Sequence, residues 1–155
     1  MAGNINARLT ELGIQLPPAN PPAGNYVPTV QIGNLMFISG QVPIVDGAPA
    51  FIGRLGEALG VEDGAAASRA CALALISQAK VALDGDLDRI ERVVKLTGFV
   101  AATPEFTNHP QVVNGASDLL VDIFGDAGLH ARAAVGMASL PLGVAVEVEA
   151  ILQVL

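Results

Sequence analysis

Two periods of hydrophobic residues alternate along this chain. From Val61 to Leu83 apolar and small residues recur at helical spacing, and the run is rich in alanine, the best helix former. Glu62 and Asp63 open it, where they suit the positive end of a helix dipole, and Asp84-Gly85 closes it. A second helix is expected over Phe106 to Phe124, ending at Gly125. A short one is expected over Asn4 to Leu12, with Ile5, Leu9 and Leu12 in register. Other segments follow the period of a strand. Arg92 to Ala102 carries Val93, Val94, Leu96, Phe99 and Val100 and stops at Thr103-Pro104. Val144 to Val154 alternates, with Val144, Val146 and Val148 on one face and Ala145, Glu147 and Glu149 on the other. Arg132 to Ala138 is a further strand, joined to it by Ser139 to Gly143. Tyr26 to Gln31 and Leu35 to Ser39 flank Gly33-Asn34 as a hairpin. Val42 to Val45 and Ala48 to Gly53 are short strands around Asp46-Gly47. Leu16 to Gly24 holds four prolines, which fix φ and remove donors, so it reads as an extended connector.

The order is a hairpin with short strands, a helix, a strand, a helix and two strands. It predicts an α+β fold: a mixed β-sheet with two helices packed on one face. Residues 1–23 form an N-terminal helix and proline-rich connector, and residues 24–155 form the domain. The other sheet face is then bare, and composition bears on what covers it. Hydrophobic residues make up 52% of the chain and charged residues only 15%, against about a quarter charged in an ordinary soluble domain. A membrane helix would need roughly 20 consecutive apolar residues. The most apolar stretch, Ala65 to Leu83, is broken by Ser68, Arg69, Ser77, Gln78 and Lys80, and the N-terminus lacks the apolar run of a secretory signal. Burial of the bare face in an oligomer is the expectation. A formal net charge of −7 without a basic cluster argues against nucleic acid as a partner. The lone Cys71 allows no intrachain disulfide, and two histidines make a structural zinc site an unsuitable reading. A cytoplasmic location is expected.

Few residues offer chemistry. Arg132 opens a strand otherwise built of Ala, Val, Gly and Met. A guanidinium there grips a carboxylate through two parallel hydrogen bonds, or is simply a strand-end charge or half of an ion pair. Glu147 and Glu149 share a face, about 7 Å apart. A buried carboxylate there is a general base, or it pairs with Arg132 if the strand register brings the two together. Tyr26 offers a hydroxyl near the hairpin, and Gly40, within Ser39-Gly40-Gln41, permits a bend or a close ligand approach. Cys71 reads as core, His109 as a residue at the start of a helix, and His130 as facing solvent. Glycine-rich phosphate loops are absent.

Three segments together resemble the RidA/YjgF family, also known as endoribonuclease L-PSP. They are Gly24-Asn-Tyr26 leading through Val30 to Phe37 into Ser39-Gly-Gln-Val-Pro43; Val93-Val-Lys-Leu-Thr-Gly-Phe-Val100 with the later Val113-Asn114; and Ala131-Arg132-Ala-Ala-Val-Gly136 with Leu140-Pro141 and Val146-Glu147-Val-Glu149-Ala150. The likeness runs from about Gly24 to the C-terminus. It implies a chorismate-mutase-like, trimeric fold with ligand clefts between subunits. It also implies hydrolysis of reactive 2-imino and enamine acids, released by pyridoxal-phosphate enzymes, to 2-keto acids and ammonia, with no cofactor. By the resemblance Arg132 binds the substrate carboxylate and Glu147 activates water. Tyr26, Ser39, Gly40 and Asn114 line the cleft, with backbone groups of Ala133 and Ala134. The sequence departs from the family in having His130 where many members have proline, Ala134 where many have cysteine, and the N-terminal extension. Two other readings use the same residues: a non-enzymatic trimer that binds or senses a small carboxylate, and, less well supported by the charge, an endoribonuclease.

Overall fold

The period-two segments assemble into one twisted sheet, and the helical ones cover a single face of it. The computed structural model describes residues 4–155. Its elements in chain order are α1 (Asn4–Glu11), β1 (Thr29–Ile32), β2 (Leu35–Gln41), β3 (Ile44–Val45), β4 (Ala48–Pro49), α2 (Val61–Ala82), β5 (Ile90–Ala101), α3 (His109–Phe124), β6 (Ala131–Met137) and β7 (Val146–Val154). The sheet runs β1-β2-β7-β5-β6, and β3 and β4 form a separate two-residue ladder. Only β5 and β6 are parallel, because α3 carries the chain back over the sheet between them.

The core lies between the sheet and the helices α2 and α3. Met36, Leu96, Val100, Val146 and Val148 point into it from the strands. Ala67, Cys71, Ala72, Leu75 and Ala79 meet them from α2, and Val112, Val113 and Ala116 from α3. Small residues set how closely the layers approach. A Cβ on Gly115 would run into the backbone carbonyl of Ala65, so α2 and α3 touch backbone to backbone there. The sequence places α1 outside this sandwich, and Asp88 holds it: the carboxylate accepts hydrogen bonds from the backbone N–H of Asn4 and Ile5 at 3.0 and 2.8 Å, filling orphan donors at the helix start. Arg8 Nε donates to the carbonyl of Asp122 at the end of α3, and Leu9 is buried in the same core.

Three differences from the sequence reading have physical causes. The helix expected from Phe106 begins at His109, with Pro110 in its first turn, a place where the missing N–H of proline costs nothing. The hairpin strand starts at Thr29, not Tyr26, because Pro28 cannot donate to a ladder. The third matters for function. The last two strands are consecutive and joined by a short loop, so they read as a pair, yet β5 stands between them. The register that would set Arg132 beside Glu147 therefore does not exist within one chain. Among the described residues no helix is long and apolar enough to cross a membrane.

Candidate functional site

A bulge in β2 builds the first of two clusters. Pairing of β2 with β7 slips between Ile38 and Gln41, so Ser39 and Gly40 stand opposite a single partner and the strand bends away. Glu147 fills the space this leaves. A Cβ on Gly40 would collide with the Glu147 carboxylate, 2.9 Å from its Cδ, so only glycine allows the acid to lie there. Glu147 is half-buried. Desolvation raises its pKa above the ordinary glutamate value, and the charge of Glu149 on the same face raises it further. The Ser39 hydroxyl is buried and has no hydrogen-bond partner. Tyr26 is exposed, with its hydroxyl accepting from the N–H of Ala23 at 3.2 Å. All four residues line one cleft of about 610 Å³, together with Gln41, Gln78, Leu142 and the segment Asn20 to Ala23. Beneath it, burial and then the charge of Glu147 push the Cys71 thiol well up, and Sγ lies 3.6 Å from the Val146 carbonyl. This thiol is a core group, as its sequence surroundings imply.

The second cluster lies where β6 meets α3. Arg132 Nη1 donates to Asn114 Oδ1 at 2.8 Å and to Ser117 Oγ at 3.1 Å, and Nη2 donates to the Pro110 carbonyl at 3.3 Å. All three acceptors are neutral. Among the described residues the only ion pair joins Arg8 and Glu11, so Arg132 is oriented without its charge being matched. His130 does not simply face solvent: its Nε2 lies 2.9 Å from Ser117 Oγ and its Nδ1 2.6 Å from the Gly128 carbonyl. A carbonyl can only accept, so Nδ1 carries a proton. Ser117 Oγ therefore sits between His130 Nε2 and Arg132 Nη1 and accepts from the guanidinium. Sequence reasoning missed Ser117. The signal was its place three residues after Asn114, on the same helix face. Ala133 and Ala134 adjoin on β6, an edge strand whose outer backbone groups have no strand partner.

These clusters are separate in one chain. Arg132 is level with Leu96 and, through it, with Ala150, both buried under the helices. Glu147 is three residues along from Ala150 and therefore points to the opposite face. Strand spacing and rise place the two Cα atoms roughly 14 Å apart. Tyr26, Ser39, Gly40 and Glu147 are brought together; Asn114 and Arg132 are brought together, with Ala133 and Ala134 beside them; the two groups are not. A buried pair of Arg132 with Glu147 is thus not formed within the chain. Among the described residues no three His, Cys, Asp or Glu side chains cluster to hold a metal ion.

Comparison with known proteins places the chain. The family model described as YjgF/chorismate-mutase-like endoribonuclease matches residues 6–151. Protein TCP17 of Trypanosoma cruzi is 51% identical over 153 residues, covering 98% of this chain and 95% of that protein. A crystal structure of a protein of unknown function from Agrobacterium tumefaciens is 47% identical, with a TM-score of 0.91 over 97% of this chain and 92% of that one. E. coli TdcF, in a crystal structure with bound serine, is 27% identical, with a TM-score of 0.60 over 87% of this chain and 92% of that one. The chain belongs to the YjgF/chorismate-mutase-like endoribonuclease family, the RidA/YjgF group.

Proposed function

We propose that this protein hydrolyses small reactive 2-imino acids to 2-keto acids and ammonia, in clefts that form between subunits of a homotrimer. One observation carries the reading: Arg132 is aimed and held by neutral acceptors while its charge stays unmatched. A guanidinium so prepared suits a carboxylate bound by parallel hydrogen bonds. Glu147, half-buried and with its proton affinity raised, suits a general base. Each chain supplies both halves on opposite faces, so a second copy is needed to set Arg132 across from Glu147. The apolar residues exposed on the bare face, Phe37 and Val135 among them, favour such an assembly.

The chemistry then follows from position. Arg132 holds the substrate carboxylate, with Asn114 and the outer backbone of β6 near Ala133 and Ala134 beside it. Glu147 takes a proton from water as the water oxygen bonds to the imine carbon. The imine enters protonated, so this gives a neutral carbinolamine whose nitrogen receives the proton held by Glu147. The hydroxyl proton then returns to the Glu147 carboxylate as the carbon–nitrogen bond breaks, and ammonia leaves with the 2-keto acid. Ser39 and Tyr26 offer hydroxyls to the polar groups of the substrate. The reaction consumes only water, so no cofactor is called for.

Binding without turnover is a second reading, favoured by the serine bound to E. coli TdcF, a small carboxylate that is not an imine. A coupled assay separates the two. A pyridoxal-phosphate dehydratase generates 2-iminobutanoate or 2-iminopropanoate, and keto-acid release is timed with and without the protein. Acceleration is expected, with a loss of about 100-fold or more in Arg132→Ala and no change in its assembly or melting temperature. A folded, assembled protein that gives no acceleration would move the assignment to ligand binding. Endoribonuclease action fits poorly with a net charge of −7, since phosphate contacts need lysine and arginine.

A further inference from the structure

The N-terminal extension does more than cover the helices. Past α1 the chain runs across the end of α2 and reaches the Glu147 cleft, where Asn20, Pro21, Pro22 and Ala23 line it. Ile44, Pro49, Pro141 and Leu142 line it as well. The lining therefore combines the polar groups of Glu147 and Ser39 with walls of proline and aliphatic carbon.

Two buried side chains fix this strap. Ser77 Oγ donates to the Pro17 carbonyl at 2.7 Å, and Gln78 Nε2 donates to the Asn20 carbonyl at 2.7 Å. Gln78 also reaches Gln41 Oε1 at 3.3 Å, and Gln41 Nε2 donates to the Ser39 carbonyl at 3.1 Å. Gln41 and Gln78 are only 5% and 4% exposed. Burying an amide is costly unless its hydrogen bonds are made, and packing alone would be served by an aliphatic residue at either position. The pair makes its bonds by joining the strap to the bulge that carries Ser39 and Gly40. Proline then stiffens what the glutamines hold: fixed φ angles leave the strap little freedom to lose, and Pro21 and Pro22 present no N–H to a ligand.

We propose that Pro21 and Pro22 are specificity-determining residues of this site, and that Gln78 is the positioning residue that latches them, so that the cleft selects 2-imino acids with an apolar side chain longer than methyl or ethyl. The inference rests on the deaminase reading and deepens it. Glu147 and Ser39 take the reacting carbon, and the side chain lies along the prolines. At about 610 Å³ the cleft falls among those that take whole drug-sized ligands, about 300–1,000 Å³. A three-carbon imino acid would leave most of this wall uncontacted. A further methylene in such a wall is worth roughly tenfold in discrimination.

The test compares kcat/KM for 2-iminopropanoate and for 2-imino-4-methylpentanoate in the native protein, in the double variant Pro21→Ala/Pro22→Ala, and in Gln78→Leu. A native preference of at least tenfold for the larger substrate is expected. In both variants the preference should fall several-fold, chiefly through KM for the larger substrate. A native preference for the smaller substrate, or a ratio unmoved by the proline variant, overturns the proposal while leaving the deaminase reading intact. Pro21 and Pro22 are exposed, so the double variant carries the test if Gln78→Leu does not fold. If neither imine is turned over, the deaminase reading fails by itself. The strap is then judged by calorimetric binding of pyruvate against 4-methyl-2-oxopentanoate: a ratio that changes in the proline variant upholds the wall, and one that does not overturns it.

Discussion

At the scale of single residues, the instructive group is Glu147. Its folded pKa is raised by burial first and by Glu149 second, so its ionised form is disfavoured in the native state. The sign of the linkage follows. Whatever stability this carboxyl contributes is fully present below the unfolded glutamate value and is lost as pH rises through the raised folded value. In the proposed reaction activity would run the opposite way, because Glu147 as general base must be ionised: kcat/KM should fall on acidification through an apparent pKa above that of ordinary glutamate. Glu149→Gln removes a like charge and should shift this acidic limb to lower pH, as a pH–rate profile of the assembled protein would show. A limb that stays in place would mean that Glu147 is not the titrating base. Glu147→Gln, by contrast, should melt no lower than the native protein at neutral pH while losing activity, the trade expected where stability yields to function.

Elements show what a sequence can and cannot disclose. The alternation of Val146 and Val148 with Glu147 and Glu149 reports which side of β7 faces the core, because strand side chains have a period of two, and burial follows it residue by residue. The alanine-rich stretch read as a helix from Val61 to Leu83 forms α2, Val61–Ala82, one residue shorter. Pairing order is different: it depends on where α3 carries the chain, and nothing in Ser139 to Gly143 reveals that β5 comes between β6 and β7. The same gap hid half of the candidate site. The types of residue that bear chemistry stood out, since arginine in a strand of Ala, Val and Gly is conspicuous. That Ser117, itself bonded to His130, would hold Arg132 depends on how α3 is rotated against β6, which no local pattern records. Close helix contact is equally unannounced in the sequence but has a measurable signature. Gly115→Ala must push α2 and α3 apart, because the new methyl meets backbone, not a movable side chain. A loss of about 1–3 kcal/mol is expected from denaturant unfolding, and a neutral result would mean the helices separate freely.

For the whole molecule, the decisive fact is that Arg132 and Glu147 leave opposite faces of one sheet. If a working cleft takes one group from each of two copies, inactive variants should rescue each other. Arg132→Ala and Glu147→Gln, unfolded together in equal amounts and refolded, should recover about a quarter of native activity, since that share of clefts in a randomly mixed cyclic trimer receives both intact groups. Each variant refolded alone should recover none. No recovery in a mixture shown by mass to contain hybrid trimers would sink the shared cleft. A cleft so shared would also make the activity a property of numbers. A solitary chain, newly made or greatly diluted, would carry every necessary side chain and still be inert, so output per chain would rise with dose until assembly is complete. The protein would in effect count its own copies before it acts.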